Sequence, residues 1–60
     1  MRIEMRVERN GRSIFRAEFD TEIGGSFAEC SKMALKEFYR QHPEVSLLDD
    51  DVWLKFDKVR

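Results

Sequence analysis

From residue 1 to residue 9 apolar and polar side chains alternate, with Met1, Ile3, Met5 and Val7 on one side and Arg2, Glu4, Arg6 and Glu8 on the other. Residues 12 to 20 alternate again, Ser13, Phe15, Ala17 and Phe19 against Arg12, Ile14, Arg16, Glu18 and Asp20. A period of two on both sides of Asn10-Gly11 predicts a β-hairpin with one face in a core.

The loop length sets the register, and a one-residue slip turns every side chain over. A two-residue Asn10-Gly11 loop would place Met5 across from Arg16 and mix the two faces. A three-residue loop of Arg9, Asn10 and Gly11, with Gly11 in the left-handed position, restores the faces. Met5 then meets Phe15 and Ile3 meets Ala17 inside, while Glu8, Glu4 and Arg2 face Arg12, Arg16 and Glu18 outside. Placing the loop at residues 10 to 12 also keeps the apolar match, but it opposes Glu4 to Glu18 and Arg6 to Arg16. Opposite charges across a strand pair help by roughly 0.2–1 kcal/mol and like charges oppose pairing. On that ground the expected register is the one with the loop at residues 9 to 11.

A break at residues 22 to 25 follows, and Ser26 with Glu29 forms a capping box that opens a helix. At 100° per residue Phe27, Cys30, Ala34, Leu35 and Phe38 share a stripe, with Met33 and Tyr39 at its edges. Pro43 ends the helix near Gln41 or His42. Leu47 and Leu48, in the loop after it, are expected to fold over an open end of the core. Residues 52 to 59 alternate once more: if Val52, Leu54 and Phe56 face the helix, Trp53, Lys55, Asp57 and Val59 face away.

The expected fold class is α+β: ββαβ, a three-stranded antiparallel sheet in the order 2-1-3 with one helix packed on one face. Right-handed crossover places the third strand beside the first. Pairing of the third strand with the second is the alternative that the long 43 to 51 loop leaves open.

The 60 residues form a single domain, and a chain of this size buries only about 60% of its unfolded surface. A core so small makes homodimer formation an expected route to stability. One cysteine cannot form an internal disulfide, which suits a reducing cytoplasm, and no stretch is apolar enough for a leader or a membrane span. A cytoplasmic, soluble protein is expected. The net charge of −1 removes the bulk electrostatic case for nucleic acid.

Trp53, on the open sheet face with Arg2, Arg6, Arg16 and Lys55, is the sharpest candidate for binding. An aromatic among cations can anchor a protein contact or stack a nucleobase; the plainer reading is a tryptophan covering its strand neighbours, stacked on an arginine. The arginine ladder has glutamates to neutralise it, so a solvated, self-paired surface outweighs a phosphate site. Lys32, Lys36 and Arg40 form a secondary basic ridge on the outer side of the helix, where cations also suit the helix dipole.

Asp49, Asp50 and Asp51 lack the alternation, glycine and distal glutamate of a calcium loop. Cys30 and His42 lie about 18 Å apart along one helix, too far for a dyad, and Cys30 on the apolar stripe reads as a buried structural thiol. No catalytic residue, metal site or cofactor is expected.

The reading that follows is a non-enzymatic protein-interaction module that docks on a partner protein or on a second copy of itself. By size alone it is similar to the small regulators and inhibitors of phages and mobile elements. The alternative is a single-stranded nucleic-acid-binding module using the face around Trp53. A subunit of a larger assembly is the third reading. The second or third strand could also serve as an edge that a partner extends.

Overall fold

A computed structural model describes residues 1–22 and 25–59. Part of the expected break at residues 22 to 25 therefore lies outside the described residues. The elements are β1 (Arg2–Arg9), β2 (Arg12–Asp20), α1 (Phe27–Gln41) and β3 (Val52–Val59). They make the expected ββαβ fold: a three-stranded antiparallel sheet, order β2-β1-β3, with β1 in the centre.

The hairpin reaches this arrangement through a different register from the expected one. Asn10 (φ 52°) and Gly11 (φ 78°) both take left-handed conformations, as a tight two-residue turn of the kind favoured by Asn-Gly requires. Arg9 pairs with Arg12 and Glu8 with Ser13, but Val7 pairs with Phe15. Ile14 is therefore the extra residue of a β-bulge. The bulge shifts the rest of β2, so that Met5 meets Ala17 and Ile3 meets Phe19, while Glu4 faces Glu18 and Arg6 faces Arg16. The like-charge oppositions that argued against this register are present. They are tolerated because each side chain leans diagonally to a neighbour of opposite sign, Glu4 to Arg16, Glu18 to Arg2 and Arg6 to Asp57.

Helix α1 begins where the capping box placed it. The Ser26 hydroxyl accepts from the Glu29 amide at 3.2 Å and donates to the Glu29 carboxylate at 3.3 Å. His42 closes the helix by donating its amide to the Phe38 carbonyl at 2.8 Å. The helix lies mainly on the β2 side of the sheet. Phe38 packs edge-on against Phe15 (ring centroids 5.5 Å apart) and Phe27 against Phe19 (5.9 Å). Met5, Val7 and Phe38 are fully buried, and Phe15, Val45 and Val52 complete the cluster around them. Cys30 is buried, as its place on the stripe implied.

Residues 43 to 51 close the core differently from the expectation. Val45, not Leu48, is the plug: Val45 is 4% exposed and Leu48 is 92% exposed, with Leu47 half-buried against the core. The Asp49 amide donates to the Ser46 carbonyl, the Asp49 carboxylate accepts from the Ser46 amide, and the Ser46 hydroxyl accepts from the Leu48 amide. This tight turn puts Leu48 at its outer tip. None of the described helices is long and apolar enough to cross a membrane.

Candidate functional site

The two registers together fix what the uncovered sheet face displays. Reading across β2, β1 and β3, Glu18, Glu4 and Asp57 form one row and Arg16, Arg6 and Lys55 the next. An acidic band thus runs beside a basic band. The third relevant row holds Glu8 and Trp53. Neutralisation occurs between rows rather than within them. Arg16 Nε donates to Glu4 at 3.0 Å, Arg2 Nε to Glu18 at 2.9 Å, and Lys55 Nζ lies 3.0 Å from Glu8. Arg6 reaches Asp57 through Nη2 at 3.5 Å, and its Nε sits 3.5 Å from Glu8.

The lattice covers its own carboxylates, Glu4 and Glu8 being 13% and 15% exposed. The hydrogen bond from Lys55 is the chief cause that holds the Glu8 carboxyl below its ordinary value, with Arg6 adding to it. The Asp20 carboxyl is lowered by the Glu22 amide and then by the chain's amino terminus, and Glu37 by Arg40. A carboxylate with a depressed folded value stabilises the fold at neutral pH and loses that contribution as pH falls through the depressed value. Acid should therefore weaken this protein. Lys55→Met should raise the Glu8 carboxyl back toward its ordinary value, and a side-chain carboxyl NMR titration reads that shift directly.

Trp53 points away from the helix as expected and is 62% exposed. Among the described residues neither a ring nor a guanidinium stacks on it, which does not match the plainer of the two readings, a tryptophan stacked on an arginine. Of the residues grouped with it from the sequence, Lys55 is its neighbour along the face and Arg6 lies one row inward. Arg16 lies on the far strand. Arg2 is six residues along β1 from Glu8, about 20 Å at the rise of a strand, and is not part of the patch. Arg2, Arg6, Arg16 and Lys55 all have acidic partners in place, and a cation already held by carboxylates is a weak grip for phosphate.

A feature the sequence reading missed lies on the other face of the same strand. Phe56 is 38% exposed and Phe27 is 44% exposed, their rings 5.0 Å apart. One helix about 10 Å wide, set over one edge of a sheet whose strands lie about 4.8 Å apart, leaves the opposite edge uncovered. Since α1 sits toward β2, the inner side of β3 beyond the 43 to 51 loop stays open.

Among the described residues no strand pairs with the outer edge of β3. The Asn10 amide donates to the Asp51 carbonyl at 3.0 Å, which continues the β1–β3 ladder by one pair. Hydrogen-bonded pairs alternate along an antiparallel ladder. Trp53, Lys55, Asp57 and Val59 therefore turn their N–H and C=O groups toward β1, and Leu54, Phe56 and Lys58 turn theirs outward.

The secondary candidates gather less. Lys32, Lys36 and Arg40 are all exposed on the outer side of α1, but Arg40 is clasped by Glu37 at 2.6 Å, which leaves two lysines beside the exposed Met33 and Tyr39. Asp51 is tied to Arg9 at 3.2 Å and Asp49 to its own turn. His42 stacks near Phe38 at the helix end, the far end from Cys30. No protein-family model matches the chain. No curated protein and no solved structure matches it either.

Proposed function

We propose that this chain is a non-enzymatic protein-interaction module that docks through the β3 side of its sheet, in the manner of a small regulator or inhibitor. The observation that supports this reading is an edge strand with an exposed aromatic on each face, Trp53 on one and Phe56 on the other, and outward backbone groups between them. Large exposed aromatics of this kind are the residues that dominate protein–protein contacts. The charges around Trp53 are paired internally, so the patch presents neutral, amphipathic surface rather than a field of one sign.

Trp53→Ala tests it. As an interface anchor its loss should cost about 2 kcal/mol or more of binding, roughly a thirtyfold fall in affinity, with an unchanged far-ultraviolet circular dichroism spectrum. Self-association by sedimentation and capture of partner proteins by the immobilised chain are the two readouts. If the variant matches the parent in both, Trp53 is not in an interface. A titration of Trp53 emission with mixed single-stranded RNA and DNA separates the nucleic-acid alternative: saturable quenching that rises as salt falls would replace the present reading.

A further inference from the structure

We infer that the β3 edge is built to pair with the β3 edge of a second copy, antiparallel and centred on Phe56, giving a continuous six-stranded sheet. This deepens the docking reading above and rests on it.

The backbone groups that point outward belong to Leu54, Phe56 and Lys58, by the alternation set from the Asn10–Asp51 hydrogen bond. A two-fold axis at Phe56 makes hydrogen-bonded pairs of Phe56 with Phe56 of the second copy and of Leu54 with Lys58 of the second copy. Only even-numbered residues meet even-numbered ones, as the outward groups require. The side chains then match on both faces. On the open face Lys55, which also holds Glu8 at 3.0 Å, opposes Asp57 of the second copy, which Arg6 of its own chain reaches at 3.5 Å, twice by symmetry, and Trp53 opposes Val59 of the second copy at each end. On the inner face the two Phe56 rings meet, each with Phe27 beside it. The stem of Lys58, exposed at the strand end, lies along Leu54 of the second copy while its ammonium stays in water.

Neighbouring registers lack this match. Centring on Lys55 or on Asp57 sets that charge against its own copy and leaves the opposite sign only on the diagonal, a weaker match than the direct opposition of Lys55 and Asp57. Centring on Leu54 shortens the overlap and opposes Asp51 to Asp57. The β2 edge is the less suited of the two. Ile14 bulges there, and α1 packs over Phe15 and Phe19 of that strand. Joining two β2 edges would crowd the helices, whose axes need 8–10 Å above strands about 4.8 Å apart. The helices leave the β3 side clear.

The test needs no substitution to begin. Amide exchange on the isotope-labelled full chain should slow with concentration at Leu54, Phe56 and Lys58, by about tenfold or more where dimer dominates, while sedimentation shows monomer passing to dimer. Lys55→Asp and Asp57→Lys should each weaken the dimer about thirtyfold, since each turns two favourable cross-strand pairs into repulsive ones. Mixing the two variants should restore association, because an aspartate at position 55 of one chain then faces a lysine at position 57 of the other. A chain that stays monomeric at millimolar concentration overturns the inference. So does a dimer in which these three amides remain unprotected, or one that either variant forms as well as the parent. Trp53-dependent capture of a different protein by a monomeric chain would remove self-pairing and leave the docking reading standing. Should either variant fail to fold, amide exchange in the unaltered protein decides alone.

Discussion

Phe38→Ala leaves a chain that is largely unfolded at room temperature. Phe38 is fully buried, and its ring touches Phe15, Tyr39 and His42 with centroids 5.5, 5.2 and 5.5 Å away. It is the one residue of α1 that reaches the bottom of the cluster formed by Met5, Val7 and Phe15. Truncating a buried phenylalanine costs about 3–5 kcal/mol, the sum of lost transfer energy and the cavity left behind. A domain of 60 residues has roughly 3–9 kcal/mol in total at the usual stability per residue, and small domains fall toward the lower end. Met33→Ala, at a side chain 70% exposed on the same helix, should move stability by less than about 0.5 kcal/mol. Urea denaturation followed by circular dichroism measures both. A Phe38→Ala protein that unfolds at the parental urea midpoint would show that the helix is not held by this contact.

The features of this fold that were legible in the sequence are those governed by periodicity and chain connectivity. Alternation in three segments and one stripe with period 3.6 gave the elements, the capping box at Ser26 and Glu29 gave the helix start, and handedness gave β3 its place beside β1. The outward direction of Trp53 follows from Val52, Leu54 and Phe56 facing in. What failed was the register of the hairpin, because the charge argument considered only residues directly opposite one another. Long side chains reach the diagonal neighbour equally well, and Arg16–Glu4 and Arg2–Glu18 form as pairs across a diagonal. One residue signalled the solution. Ile14 stood among Arg12, Arg16, Glu18 and Asp20 as the single apolar member of the polar side, and it is the residue that the bulge sets apart. A bulge reconciles a tight Asn-Gly turn with the apolar match beyond it.

The candidate site was legible in part for a related reason. Trp53 and Lys55 share a face because they are two residues apart on one strand, and Arg6 joins them through the β1–β3 register. Arg2 was grouped with them by charge type, although it sits at the opposite end of β1. The exposure of Phe56 depends on where the helix lies above the sheet. Ala17 on β2, a small residue between Phe15 and Phe19, lines a groove with Cys30, Met33 and Ala34 of the helix. That lateral offset toward β2 is a property of packing and leaves no periodic trace.

Val45→Asp should unfold the protein, whereas Leu48→Asp should leave it intact, although hydrophobicity alone ranks Leu48 as the costlier site. Val45 is 4% exposed and packs with Phe38, Met5 and Val52. Its amide bonds to the His42 carbonyl at 3.1 Å, so the residue is held immediately under the helix end. A carboxylate there has no cation within the cluster, and an uncompensated buried charge costs about 3–5 kcal/mol, comparable with the whole stability of so small a domain. Leu48 stands at the tip of the turn closed by Ser46 and Asp49, where an aspartate meets only water and should change stability by less than about 0.5 kcal/mol. Thermal unfolding of the two variants side by side is the measurement. Equal destabilisation by both would mean that Leu48 folds back on the core in solution and that the loop closes as its leucines first suggested. Because this loop delivers the chain to Val52 and so to β3, losing the Val45 plug should also loosen the edge strand. In a partly folded Val45→Asp protein, the Trp53 side would lose amide protection before the β1–β2 hairpin does.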